Sequence, residues 1–375
     1  MKKKKLLIDV NSIVPYYVAG KMNGIGRTTL ELIQALAEID DLPFEIELYS
    51  QNMKGIGGRN TGLPFKCTHL YLPHRDKWNK ILAKFPIKEW LTKYDIIHIP
   101  HNSDYTENLG KTIFTFHDLI VYHYPEMWGV NRDNEFFHFI KYLAQNCKAI
   151  VTCSDSSKRE IINILGVPEK KVTAIPWGVN REIFCPTYNY DFLKKKGISS
   201  LYYFTASCNH PRKNLSLLLR SYKEYLVLGG KGQLILLNPI DSDLLNVQDL
   251  INEHKIVVFR NISDDELAVL YTHAHCSIVL SEFEGFGLPI LESLSCETIV
   301  LSSCNSSLIE AGGNLVDYFD ELKESSISKK MLKYDKVSKQ DMLNKTLLDE
   351  HLSKFSWKEC AKSYERFYKQ QLNDD

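Results

Sequence analysis

Short apolar runs alternate with amphipathic stretches along the whole of this chain, and that alternation leaves few folds open. Strand-like runs are predicted at 5–10, 44–49, 94–99, 112–116, 149–153 and 172–175, and again at 202–206, 233–237, 256–259, 277–280 and 298–301. Helical patterns lie between them, at 27–37, 134–146, 215–226 and 264–274 among others. Several runs are apolar at every position, as in strands buried on both faces. Strands that alternate with helices in this way imply α/β domains with parallel sheets covered on both sides. The pattern restarts after a weakly structured stretch over 180–200, rich in Tyr, Lys, Pro and Gly. The expected organisation is an N-terminal Rossmann-like domain over 1–185, a second over 196–355, and a closing helix over 356–375 that could cross back to the first. The stretch 320–339 is polar, rich in Ser and Lys, and reads as loop or mobile helix.

The chain has 375 residues, more than one ordinary core accommodates, so two domains are the prior. Net charge is zero, so no global field recruits nucleic acid. No apolar run reaches the length of a membrane span. Met1 and its four lysines precede too short an apolar run for a signal peptide, so a cytoplasmic location is expected. The nine cysteines include no Cys-x-x-Cys pair, and Cys153, Cys208 and Cys276 sit in or beside buried strands. A reduced chain with core cysteines fits better than a disulfide or zinc protein.

The most informative segment is Ser281-Glu-Phe-Glu-Gly-Phe-Gly-Leu-Pro-Ile-Leu-Glu292. A strand ends in an acidic, glycine-rich turn, and a helix starts near Leu288-Pro289. Pro289 suits a first helical turn, where its missing N–H costs nothing. Glycines allow a ligand close to the backbone, and free amides at a helix start attract anions. Glu284 lies in the turn and Glu292 inside the helix. Amides and carboxylates together suit a ligand with phosphate and hydroxyls, such as a nucleotide sugar.

Other segments divide between functional and plainer readings. Gly24-Ile-Gly26-Arg27 could deliver amides and a guanidinium to an anion, although an ordinary glycine turn explains it equally. His117-Asp118 follows a strand, where α/β sheets place ligands. Such a histidine can donate to a sugar hydroxyl or a phosphate; alone, a histidine bonded to nearby backbone is the simpler account. Pro211-Arg-Lys-Asn214 puts two cations at a helix start, an arrangement that asks for an anion. Asp241-Ser-Asp243 could be a metal-binding pair, but helix capping is the better reading. No His/Cys cluster suggests a metal. The stretch Lys77–Trp90 interleaves lysines with large apolar residues and could meet an anionic membrane surface, an ordinary amphipathic segment being the plainer alternative.

Together these segments resemble the retaining glycosyltransferases of family 4, whose GT-B fold has two Rossmann-like domains facing across a cleft. The resemblance runs from Ile8-Asp9 to Phe355-Ser-Trp357. Its most specific part is the paired-glutamate segment Glu284–Glu292, joined by Arg212-Lys213-Asn214, Gly24-Ile-Gly-Arg27, His117-Asp118, Val179-Asn180 after Pro176-Trp-Gly178, and Ser263-Asp-Asp-Glu-Leu267 with Tyr271 and Ala274. One departure is Glu297, where the family usually has glycine, with Ile299 where proline is common.

The resemblance implies a metal-independent enzyme that needs no cofactor and moves a hexose from a nucleotide-diphosphate sugar to a glycan or lipid-linked acceptor. GDP-mannose is the first expectation for the donor, followed by UDP- and dTDP-sugars. His117, Arg212, Lys213 and Glu284 are the expected catalytic residues. Gly24, Gly26, Arg27, Gly285, Phe286, Gly287, Leu288 and Glu292 are the expected donor-binding ones. Peripheral contact with the inner membrane would suit a lipid-linked acceptor. Two other classes stay open: a nucleotide-sugar epimerase on a similar scaffold, and a non-catalytic nucleotide-sugar-binding protein.

Overall fold

A computed structural model describes residues 3–14, 24–51, 62–70, 85–102, 106, 108–128, 135–206, 210–339 and 343–374. Lys77–Lys84, Asn134 and Cys208, all named above, lie outside the described residues. The chain divides into two units, Met1–Gly178 with Trp357–Asp375, and Val179–Ser356. Among the described residues each contains one parallel sheet.

The first sheet has seven strands: β1 (Lys5–Asp9), β2 (Glu45–Gln51), β3 (Cys67–Leu70), β4 (Ile96–Ile99), β5 (Thr112–Thr115), β6 (Ala149–Thr152) and β7 (Val172–Ala174). Their order is β3-β2-β1-β4-β5-β6-β7. Leu6 pairs with both Ile46 and Ile96, which places β1 at the point where the order reverses. Successive side chains leave opposite faces of a strand. Leu6 and Ile8 accordingly enter one core, with helix Gly24–Ala37 and with Tyr364, Phe367 and Tyr368 of helix Trp357–Asn373. Leu7 enters the other, with Ile140 and Leu143 of helix Glu135–Asn146 and Ile161 of helix Asp155–Leu165.

The second sheet has six strands: β8 (Tyr202–Thr205), β9 (Gln233–Leu237), β10 (Ile256–Phe259), β11 (Cys276–Val279), β12 (Ile299–Ser303) and β13 (Val316–Phe319). Their order is β10-β9-β8-β11-β12-β13, so the reversal falls between β8 and β11. Helix Asp264–His273 starts in a capping box. Ser263 Oγ accepts from the Glu266 amide at 3.1 Å, and the Ser263 amide donates to Glu266 Oε2 at 3.0 Å. Helix Glu324–Tyr334 lies in the stretch expected to be loop or mobile helix. It is an ordinary amphipathic helix whose Ile327, Met331 and Tyr334 join the core beside Leu215 and Leu219.

The expected domain boundary needs correction. Residues 179–195 belong to the second unit and are bonded into it. The Val179 amide donates to the Phe355 carbonyl at 2.9 Å, and the Thr187 amide to Thr272 Oγ1 at 2.9 Å. Cys153 and Cys276 are buried and take part in no disulfide. Among the described residues no helix is long and apolar enough to cross a membrane.

A polar chain fastens helix Trp357–Asn373 to the first sheet. The Tyr368 hydroxyl meets His98 Nδ1 at 2.7 Å, and His98 Nε2 meets Thr115 Oγ1 at 2.7 Å. Burial depresses the His98 pKa to about 3, helped by His117 and His101. A neutral imidazole can donate at one nitrogen and accept at the other, and the two hydroxyls can serve either role. The unfolded chain protonates near pH 6.5, so this contribution is complete above that pH and is lost as pH falls toward 3. His98 should thus cost about 1.4 kcal/mol of stability per pH unit over that window. Urea unfolding between pH 6 and 4.5 should show a shallower decline for His98→Gln than for the unsubstituted chain; parallel declines would refute the assignment.

Candidate active site

Ligands in open α/β sheets bind beyond the C-terminal strand ends, at the strand-order reversal. In the second unit that position is occupied by the turns after β8 and β11. After β8, a single 3₁₀ turn carries Pro211, Arg212 and Lys213, and Asn214 at φ 56° turns the chain into helix Leu215–Val227. The Asn214 amide side chain donates to the Leu280 carbonyl at 3.0 Å, and the Glu282 amide donates to the Arg212 carbonyl at 2.8 Å. The two turns are therefore stitched together.

Between them lies Glu284. Its carboxylate pairs with Arg212 Nη1 at 2.9 Å and with the Lys213 ammonium, and it accepts from Ser281 Oγ at 2.7 Å. Burial would raise its pKa, but Lys213 and Arg212 outweigh that and hold it down to about 2. The anion that the two adjacent cations called for is thus supplied within the chain itself. Two cations against one carboxylate still leave a surplus positive charge. Arg212 Nε, moreover, is buried without a hydrogen-bond partner. His210 Nδ1 accepts from the Arg212 amide at 3.3 Å, and burial with the two cations depresses its pKa to about 4. Ser306 Oγ accepts from the Glu284 amide at 3.3 Å, and Ser307 Oγ donates to the Glu284 carbonyl at 2.8 Å. His210, Ser306 and Ser307 were not singled out in the sequence, and Ser281 only as the first residue of its segment. Of the first three, His210 alone, next to the cations, carried a local signal.

Gly287 caps helix Leu288–Ser295 at φ 112°, and a Cβ there would stand 3.1 Å from Ala311 Cβ. The backbone conformation therefore favours glycine, and a Cβ would also need Ala311 and Leu308 to give way. Glu292 projects from the helix half-buried and accepts from the Tyr271 hydroxyl at 3.0 Å. Gly285 is buried and Leu288 half-buried at the helix start. The Phe286 side chain is buried against Phe355, with ring centroids 6.0 Å apart, which leaves its main chain to face a ligand. Asp241 and Asp243 do not cap their helix. Asp241 pairs with Arg260, and Asp243 accepts from Ser216 Oγ at 2.9 Å. Among the described residues no His/Cys/Asp/Glu group could hold a metal ion.

In the first unit, Gly24, Gly26 and Arg27 open helix Gly24–Ala37, with Gly24 exposed, Gly26 buried and Arg27 half-buried. His117 follows β5. Its Nε2 lies 3.0 Å from the Pro100 carbonyl at the end of β4, and its ring is 5.2 Å from that of Trp177. A carbonyl can only accept, so Nε2 carries the proton. Burial depresses the pKa to about 4 against the raising effect of that bond, leaving the imidazole neutral. Nδ1 is then a buried acceptor without a partner. It can take an O–H from a ligand. It cannot donate to a phosphate, which narrows the sequence-based expectation.

The description "Glycosyltransferase Family 4" matches residues 22–183, and "Glycosyl transferases group 1" matches residues 210–319. The chain is 26% identical over 324 residues to O-antigen chain mannosyltransferase B of Escherichia coli, covering 78% of this chain and 82% of that protein. Among solved structures, sucrose-phosphate synthase from Thermosynechococcus elongatus aligns over 100% of both chains with a TM-score of 0.73 at 16% identity. Anabaena HepE in complex with UDP aligns over 98% of this chain and 100% of its own, with a TM-score of 0.69 at 14% identity.

Glu297, the departure noted in the sequence, follows helix Leu288–Ser295 at φ 54° and pairs with Lys345 at 3.1 Å. A side chain in the left-handed region is strained. Glu297→Gly should therefore raise stability by up to about 1 kcal/mol, strain relief exceeding the added chain entropy. A lowered urea midpoint would show that the ion pair, and not the backbone, governs this turn.

Proposed function

Because the chain belongs to the family 4 glycosyltransferases, with the GT-B fold, we propose that it moves a hexose from a nucleoside-diphosphate sugar to a hydroxyl of a glycan or lipid-linked acceptor. The observation that carries this reading is the Arg212–Lys213–Glu284 cluster, with its surplus positive charge and its unpartnered guanidinium nitrogen. The bond from the anomeric carbon to phosphate oxygen breaks, and a bond to the acceptor oxygen forms. Negative charge develops on the departing diphosphate, where fixed cations lower the barrier. These cations supply what a metal ion would otherwise bring, so transfer is read as metal-independent. Attack on the face the phosphate leaves, with the phosphate taking the acceptor proton, retains the anomeric configuration. Glu292 is assigned the ribose hydroxyls and Glu284 the sugar. Main-chain amides of Gly285, Phe286, Gly287 and Leu288 are assigned to sugar and phosphate, and Gly24, Gly26 and Arg27 to the donor from the first unit. His117 is assigned a substrate hydroxyl, which it receives at Nδ1.

GDP-mannose is the favoured donor, supported by the mannosyltransferase relative, and a UDP-sugar is second, supported by the UDP complex of HepE. That relative's O-antigen chain also supports a role in building a surface polysaccharide at the cytoplasmic side of the membrane. Phe85, Trp90 and Leu91, exposed around helix Ile87–Thr92, support peripheral membrane contact. Neither an epimerase nor a binding module is favoured, since both matching family descriptions are of transferases.

Arg212→Ala or Lys213→Ala should lower turnover by roughly two to three orders of magnitude, the scale for one charge-stabilising group. Both side chains are nearly buried on Glu284, so thermal stability should fall as well. Near-normal turnover in both variants would remove the cations from the mechanism. EDTA should leave transfer intact; strict Mn²⁺ or Mg²⁺ dependence would refute the metal-free reading. Calorimetry separates the glutamates. Glu292→Gln should weaken the nucleoside diphosphate by about 10- to 100-fold, the scale of a charge-assisted bond. Glu284→Gln releases both cations, so diphosphate affinity should hold or rise while transfer falls. Equal losses of diphosphate affinity in the two variants would overturn this division.

A further inference from the structure

Residues 185–190 are clamped to the C-terminal end of helix Asp264–His273. The Thr187 amide donates to Thr272 Oγ1 at 2.9 Å, and the Asn189 amide donates to His273 Nε2 at 3.2 Å. Two tyrosines stand on this clamped segment, Tyr188 67% exposed and Tyr190 70%. The His273 imidazole packs edge-on against both, with ring centroids 5.6 and 4.6 Å apart and interplanar angles of 90° and 70°. Burial, and then Lys339, lower the His273 pKa, consistent with a neutral ring accepting from Asn189. Both phenol rings are therefore oriented by hydrogen-bonded neighbours while much of their surface stays open to solvent. Core packing does not explain so much exposed aromatic surface.

What surrounds the pair narrows the ligand. Lys345, close enough to feel the Tyr188 phenol and Asp349, is ion-paired with Glu297. A purely apolar partner would strip water from these charges and from two phenol hydroxyls. Glu297 and Asp349 are each ion-paired, with Lys345 and with Arg181, so they leave no surplus charge to recruit a polyphosphate backbone. A pyranose ring fits both demands, because one face presents C–H groups to an aromatic ring and its rim presents hydroxyls to charged and phenolic groups. The position is also separate from the Glu292 pocket. Two residues along a helix turn through about 200°. Tyr271, on the same helix as His273, is fully buried and reaches Glu292.

We propose that Tyr188, Tyr190 and His273 form a second carbohydrate-binding site, which stacks a neutral pyranose unit of a glycan away from the Glu284–Glu292 pocket. The choice of a glycan rests on the proposed function, but the binding itself needs no nucleotide. The full chain is run through native gels containing soluble mannan or dextran. Retardation is expected in at least one, and Tyr188→Ala/Tyr190→Ala should weaken it about tenfold, the loss expected for aromatic stacking. The Phe/Phe pair keeps the rings and should retain binding. Donor hydrolysis without acceptor should be the same in all three proteins, which also shows that they are folded. If the unsubstituted chain runs unretarded in both gels, or the Ala/Ala protein is retarded equally, the site is overturned. Self-association lost in the Ala/Ala protein, with no polysaccharide retardation, would overturn it in favour of a contact between copies. Polysaccharide binding without hydrolysis of any nucleotide sugar would leave this site standing and count against the proposed function instead.

Discussion

A carboxylate buried beside the ends of two strands must be neutralised by its surroundings, and Glu284 is neutralised by residues from the other strand's turn. Desolvation alone would favour its protonated form; the Arg212 and Lys213 contacts reverse the sign. Removing either side would leave a buried charge short of a partner, which costs more than the pair gains. The same contact joins the turns after β8 and β11, so the electrostatics of the site and the geometry of the sheet are one constraint. The neighbouring bonds from Asn214, Ser306 and Ser307 hold the main chain around it.

That constraint explains what the sequence could and could not reveal. Strands such as β9 and β10 were legible because they are short apolar runs, even though β10 lies at a sheet edge. Strands β3 and β13 were not, because they are half-buried and mix polar with apolar residues. Helix Glu324–Tyr334 was hidden by its serines and lysines, although three well-spaced apolar residues suffice to anchor it. In the site, the residue types of Arg212, Lys213, Glu284 and Glu292 could be read from local pattern. The ion pairs could not, since they join Glu284 to Lys213, 71 residues away, and to its neighbour Arg212, a proximity that depends on β8 lying next to β11. The donor or acceptor character of His117 was hidden for the same reason: it is decided by a carbonyl on a different strand end.

The departure at Glu297 illustrates how a local rule can be broken at modest cost. The left-handed backbone asks for glycine, yet the side chain finds Lys345 across the turn. Nearby, the buried ammonium of Lys339 donates to the Thr272 carbonyl at 2.6 Å and to Thr298 Oγ1 at 3.1 Å, and burial lowers its pKa to about 8. The turn that follows the paired-glutamate helix is therefore secured by side chains, where a small flexible residue would have served.

The first unit draws its covering helix, Trp357–Asn373, from beyond the whole second unit. Synthesis proceeds from the N-terminus, and domains generally fold as units as they emerge. The second unit is contiguous and can close on itself as soon as it leaves the ribosome. The first cannot: Leu6, Ile8 and their neighbours lack Tyr364, Phe367 and Tyr368 until the whole of the second unit has been made. Strands of the first unit are thus synthesised before the second unit and sealed after it. For that interval the nascent protein carries an exposed apolar sheet face that a chaperone could occupy.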